Sequence, residues 1–235
     1  DLHLLSRRQR QMCIRDSMCT VRQIFNMDGI EDVATYLNEK LENLKLAERI
    51  KPGMRVVLTG SSRQIANMPL ILRELASFVN KQGAQPYIIP AMGSHGGATD
   101  EGQRAILESY GITEEFCGCP IHSSMETVRV GELPNGDEVR VDKFAYEADA
   151  VIVVGRIKAH TAFRGSYESG LIKMMAIGMG KRAGADSLHR EGFGKMGERL
   201  PQYAKVVFDS CNIIFGVAPI ENEFDQTLSL IHISE

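Results

Sequence analysis

Basic charge is not in excess in this chain: 27 Lys and Arg face 30 Asp and Glu, a formal net charge of −3. A nucleic-acid partner usually requires a basic stripe, so that class is set aside. Long apolar runs are missing too, since none approaches the ~18 residues that announce a membrane span. The first residues lack the apolar core and small-residue cleavage site of a secretory signal. Cysteine is sparse: Cys13, Cys19, Cys117, Cys119 and Cys211 are odd in number and scattered. That excludes a disulfide framework and reads as reduced thiols of a cytoplasmic protein. Cys117-Gly118-Cys119 lacks the two-residue spacer of a zinc or redox pair, and no second pair exists, so it reads as structural. There is no solenoid repeat and no low-complexity linker. The 43% of apolar residues is ordinary for a chain that buries a core.

The two ends differ from the rest. Four arginines crowd residues 1–17 without any helical or strand period. The runs QMCIRDS (Gln11 to Ser17) and LSLIHISE (Leu228 to Glu235) resemble translated sequencing adapter. Residues 1–17 and 228–235 are therefore expected to be non-native tails around a native stretch of 18–227. The acidic balance survives their removal.

Between the ends, helical and strand patterns alternate. Val33, Ala34, Leu37, Leu41 and Leu44 predict an amphipathic helix over 31–50, capped by Asp28. Residues 54–59 and 85–91 are short apolar strands around a helix that starts at Asn67, with Pro69 in its first turn. A helix over 100–110 follows. Asn135-Gly136 predicts a hairpin within 128–144, and residues 149–155 and 212–217 are further buried strands. The order predicts an α/β fold: a mainly parallel, Rossmann-like sheet with helices on both faces and a β-hairpin insertion. Ligands of such sheets bind at the carboxyl ends of the strands, which directs attention to the loops after Leu58, Ala91 and Val154.

Polar chemistry collects in those loops. His95 sits in a glycine-rich loop after the second strand, and His160 follows the strand that ends near Val154. His189 lies in the next glycine-rich stretch, and nine of the 22 glycines fall between Gly155 and Gly197. One loop histidine is usually a solvated side chain, but two at neighbouring strand ends with a third close by point to a shared site. His122 has no such context. Arg63, in Thr59-Gly60-Ser61-Ser62-Arg63, reads either as a surface residue or as a bidentate clamp for carboxylate or phosphate. Lys173 stands alone in an apolar segment, where an amine either snorkels to water or is held dry as a nucleophile.

Taken in order, PAMGSHGGAT with His95, GRIKAHTAFRG with His160, ESGLIKMMAIGMGK with Lys173 and GADSLH with His189 resemble the nickel-pincer-dependent lactate racemase family. The resemblance runs from about Met54 to Val217 and corresponds to that family's N-terminal, cofactor-bearing domain. It implies an isomerase, a racemase or epimerase of a small 2-hydroxy acid, working by transient hydride transfer. Nickel and a nickel-pincer pyridinium-bisthiocarboxylate mononucleotide are the implied cofactors. On this resemblance His95 and His160 are the acid/base pair, and Lys173 is the lysine that can bond the cofactor. Ser169 and Gly170 belong to the same cofactor-binding segment, His189 is the nickel ligand, and Arg63 positions the substrate. The resemblance also implies a missing C-terminal domain and an inactive fragment.

The residue types suit that chemistry. Inverting a 2-hydroxy acid carbon needs proton acceptors on both faces, and two imidazoles supply them near neutral pH. Soft donors in a plane around nickel leave a position for one imidazole. Two departures stand out: the gap between His160 and Lys173 is longer than the family pattern, and Gly60 stands where an acidic residue is expected. Both point to a relative acting on a substrate other than lactate. The alternatives are an NAD-dependent oxidoreductase fragment, weakened because no G-x-G-x-x-G follows the first strand, and an inactive metal- or nucleotide-binding module.

Overall fold

The computed structural model describes residues 22–25, 28–62, 65–190 and 192–233. The sheet at its centre has five strands: β1 (Arg55–Gly60), β2 (Gln85–Pro90), β5 (Ala150–Val154), β6 (Ile213–Glu221) and β7 (Thr227–Ile233). Their order is β2-β1-β5-β6-β7. The first four run parallel, and β7 pairs antiparallel on β6. The strands read as unbroken apolar runs because both faces of the sheet are covered. Side chains still alternate: Val56 and Leu58 enter the core on one face, and Val57 enters the core on the other.

One face carries α1 (Val33–Asn43) and α2 (Met68–Lys81). Helix α1 is shorter than its apolar period suggested. Its cap is Asp32, not Asp28, for it is the Asp32 carboxylate that accepts the Thr35 N–H at 3.0 Å. The helix stops because Lys45 turns left-handed, at φ 53°, and residues 46–49 continue only as a 3-10 turn. Helix α2 starts as expected, with Pro69 in its first turn, where a missing N–H costs nothing. Helix α3 (Asp100–Ser109) follows β2, capped by Thr99, and a short turn α4 (Glu114–Cys117) leads away from it.

The expected hairpin forms from β3 (Thr127–Glu132) and β4 (Glu138–Asp142), paired antiparallel outside the main sheet. Gly136 takes φ 84° in its turn, as an Asn-Gly turn requires. Residues Lys143–Glu147 form α5 before β5. After β5 come a long loop, α6 (Gly170–Lys173), a π turn (Met174–Gly178), α7 (Lys181–His189) and α8 (Phe193–Ser210). These elements and the hairpin build the second core, centred on Tyr203, Val207, Val139 and Val141. Helix α8 is hidden in the sequence by two glycines and Pro201, although Met196, Leu200, Tyr203 and Val207 keep a helical spacing. Gly197 has a packing reason: a Cβ there would meet the Arg164 carbonyl at 2.9 Å, so the loop after β5 lies directly on α8.

Residues 1–17, with His3 and Cys13, lie outside the described residues, as do Cys19 and Arg63. Residues 228–233, read from sequence as part of a tail, occupy strand β7. Cys117, Cys119 and Cys211 are buried free thiols; burial pushes them up to about 11, 12 and 12, which keeps them protonated and inert.

Candidate active site

The loops after β1, β2 and β5 open into one cavity of about 470 Å³ at the carboxyl edge of the sheet. Six residues singled out from the sequence line it: His95, His160, Ser169, Gly170, Lys173 and His189. Arg63 lies outside the described residues; its neighbours Ser61, Ser62 and Ile65 line the same cavity.

His95 is exposed on a loop whose Gly93, Gly96 and Gly97 all adopt φ between 62° and 67°. Its Nδ1 shares a 2.5 Å hydrogen bond with the Ser62 hydroxyl. A hydroxyl can donate or accept, so this partner tolerates either tautomer of the ring.

His160 is half-buried against Phe163, with ring centroids 4.3 Å apart. Its backbone N–H donates to Glu168 Oε2 at 2.8 Å, and its Nδ1 accepts the Ala162 N–H at 3.1 Å. The neutral ring therefore carries its proton on Nε2. Burial lowers its pKa below the ordinary 6.5, and the nearby charge of Lys173 lowers it further against the pull of Glu168.

Ser169 and Gly170 close the loop that carries His160. The Ser169 hydroxyl accepts the Lys158 N–H at 2.7 Å and donates to the Lys158 carbonyl at 2.5 Å. The Gly170 N–H donates to the Arg156 carbonyl at 3.0 Å. These hydrogen bonds staple the loop to the start of α6.

Lys173 ends α6, between the buried Leu171 and Met175. The π turn that follows presses on the loop just after β2: a Cβ at Gly178 would meet the Ala91 carbonyl at 2.7 Å. Turns of this kind recur at functional sites because they swing side chains off the regular helical face.

His189 is the last residue of α7 and is exposed. Its Nδ1 donates to the Ala185 carbonyl at 2.6 Å, since a carbonyl can only accept. The lone pair of the neutral ring then resides on Nε2, the form in which a histidine ligates a metal. Among the described residues, no three His, Cys, Asp or Glu side chains gather as a metal cage. A metal at His189 would have to bring its other donors with it.

Several contributors were not legible in the sequence. Phe193 lies edge-on to His189 with centroids 5.8 Å apart, and 6.0 Å from His160, which ties the two imidazoles to one aromatic wall. Arg156 and Lys158 join Lys173 as cationic lining, and no described carboxylate side chain lines the cavity. Arg156 is held at 2.7 Å by Glu221, whose side chain is fully buried. Burial raises the Glu221 carboxyl, opposed by the Ala66 N–H and the Arg156 charge. Lys181 and Asp142 form a buried ion pair at 2.9 Å. Only their tertiary setting distinguishes them from surface charges. His122 packs on Tyr87 and Phe144 beside a second cavity of about 450 Å³, where none of the expected site residues occurs.

The family model described as the lactate racemase N-terminal domain matches residues 13–199. Among solved structures, the lactate racemase apoprotein from Thermoanaerobacterium thermosaccharolyticum is similar, with a TM-score of 0.53 at 16% identity. The match covers 86% of this chain and 52% of that one, so the chain spans about half the length of that relative. No curated protein sequence matches. Among the described residues, no helix is long and apolar enough to cross a membrane.

Proposed function

The chain belongs to the lactate racemase N-terminal domain family, and from that premise we propose that it is the catalytic part of a racemase or epimerase of a small 2-hydroxy acid. The observation that carries this reading is the meeting of His95, His160, Lys173 and His189, from separate loops and helices, in one cavity lined by cations. Such a lining suits a substrate carboxylate and a nucleotide phosphate. Arg63 is assigned to the substrate carboxylate. The buried thiols suit a reducing, cytoplasmic setting.

The cofactor implied by the family is a nickel-pincer pyridinium-bisthiocarboxylate mononucleotide, and the residues present fit it. His189 offers one Nε2, no cage competes among the described residues, and Lys173 places an amine at the end of an apolar segment. When bound, that group supplies the electron-accepting ring and the metal. The chain's own residues handle protons and orientation. His95 is the readier base, because the Ser62 hydroxyl can turn to suit a ring that gains a proton. His160 offers Nε2–H as a donor to a substrate oxygen, and takes up a proton only by giving up the Ala162 N–H. Phe163 and Phe193 keep water from that ring's apolar side.

The test is expression together with the remaining part of the enzyme and the cofactor-synthesis enzymes, followed by metal analysis, mass spectrometry at Lys173 and chiral chromatography of 2-hydroxy acids. His95→Ala and His160→Ala should each lower turnover by about 10²-fold or more with nickel retained. His189→Ala should lower nickel occupancy. Absence of both nickel and a Lys173 adduct would sink the reading. Nicotinamide binding in their place would point to an oxidoreductase, and nickel without turnover to a binding module.

A further inference from the structure

Three polar side chains behind the His95 loop, Lys181, Asp142 and Gln103, are each 0% exposed. Lys181 opens α7 with φ 53°, an uncommon conformation for a residue with a Cβ. Its ammonium sits 2.9 Å from Asp142 Oδ2, and it donates to the Pro90 carbonyl at 2.6 Å and to Gln103 Oε1 at 3.2 Å. The ammonium thus meets partners from three different elements: an ion pair to Asp142 and hydrogen bonds to the Pro90 carbonyl and the Gln103 amide oxygen. Gln103, on α3, turns its amide the other way: Nε2 donates to the Gly93 carbonyl at 2.8 Å and to the His95 carbonyl at 3.2 Å. The chain of contacts runs from the hairpin end through Lys181 to the end of β2 and the His95 loop.

We propose that Lys181 is a positioning residue: through Gln103 it fixes the loop that presents His95, and through its own backbone it fixes the start of the helix that presents His189. The arrangement is costly to bury, because an ion pair gives up hydration on both sides. A hydrophobic trio would fill the same space but could not hold two loop carbonyls in place. Lysine suits the position because its charge and donors sit on one atom, whereas the planar guanidinium of arginine would not match partners from three directions.

Two variants separate positioning from mere support. Gln103→Met keeps the volume and removes the relay to the loop together with the Lys181 contact to Oε1, leaving the Asp142 ion pair and the Pro90 hydrogen bond in place. Lys181→Met combined with Asp142→Asn removes both charges together, so no stranded carboxylate unfolds the chain, and Asn keeps an acceptor for the Ala145 N–H. The readouts are amide hydrogen exchange and the imidazole nitrogen resonances of His95 and His189. Gln103→Met should speed exchange across residues 93–96 by about tenfold or more and move the His95 resonances, with His189 and α2 unchanged. The paired variant should move both histidines and again spare α2. Parent-like exchange and unmoved ring resonances in the folded variants would overturn the proposal. Exchange that rises equally in α2 would overturn it as well, because that is general loss of stability. The link to turnover rests on the acid/base reading of His95. These measurements use neither substrate nor cofactor, so they decide the positioning whether or not the racemase reading holds.

Discussion

His160 is the residue whose surroundings set its proton affinity most directly. Burial disfavours its charged form, and the positive charge of Lys173 acts in the same direction. Lys173→Met removes the second influence and leaves the first, so the His160 midpoint should rise part of the way towards 6.5 in an NMR titration of its ring protons. An unmoved midpoint would mean that the two groups do not feel each other. The same depression has a sign for folding. As pH falls through the ordinary value of 6.5, the unfolded chain takes up this proton before the folded chain does, so acid costs stability in that window. The positions of His95 and His160 were legible as loop histidines after apolar strands. Their hydrogen-bond partners, Ser62 and the Ala162 N–H, were not, since they depend on which way each loop folds back.

At the scale of elements, the hairpin is a clamp. Asp137, in its turn, bonds Arg190 at 2.8 Å and also Arg199, which joins the hairpin tip to the junction of α7 and α8. That junction carries His189 and Phe193. Burial alone would raise the Asp137 carboxyl, but Asn135 and the two guanidinium groups outweigh it and hold the pKa below 3.8. The stability it contributes is present above that value and is lost as pH falls through the lowered one. Asp137→Ala leaves the buried Arg199 without this carboxylate and should cost about 2 kcal/mol in urea denaturation, with the His189 resonances broadened. A loss below a few tenths of a kcal/mol would show that the clamp carries no weight. The Asn-Gly turn made the hairpin readable in the sequence. Its docking partners lie more than fifty residues away along the chain, beyond the reach of any local pattern.

Across the whole molecule the sheet divides two apolar cores, and the cavity opens at its carboxyl edge rather than within either core. Leu72 is fully buried in the core on the α1–α2 face. Leu72→Ala should therefore cost about 2–5 kcal/mol of stability while leaving the His160 titration in place, a comparison of denaturation midpoint with NMR midpoint. A shifted titration would mean that the face carrying α2 and the site are coupled. The sequence by itself determined the α/β order, the strands buried on both faces, the hairpin and the motif set around His95, His160, Lys173 and His189. These follow from periodicity, turn chemistry and residue type, which are local properties. The true end of α1, the existence of α8, the Phe193 wall and the Lys181–Asp142–Gln103 relay were decided only by the tertiary structure. A lysine in the sequence is a surface charge by default, and only the packing of three elements around its ammonium takes it out of water and gives it an ion-pair partner and two acceptors.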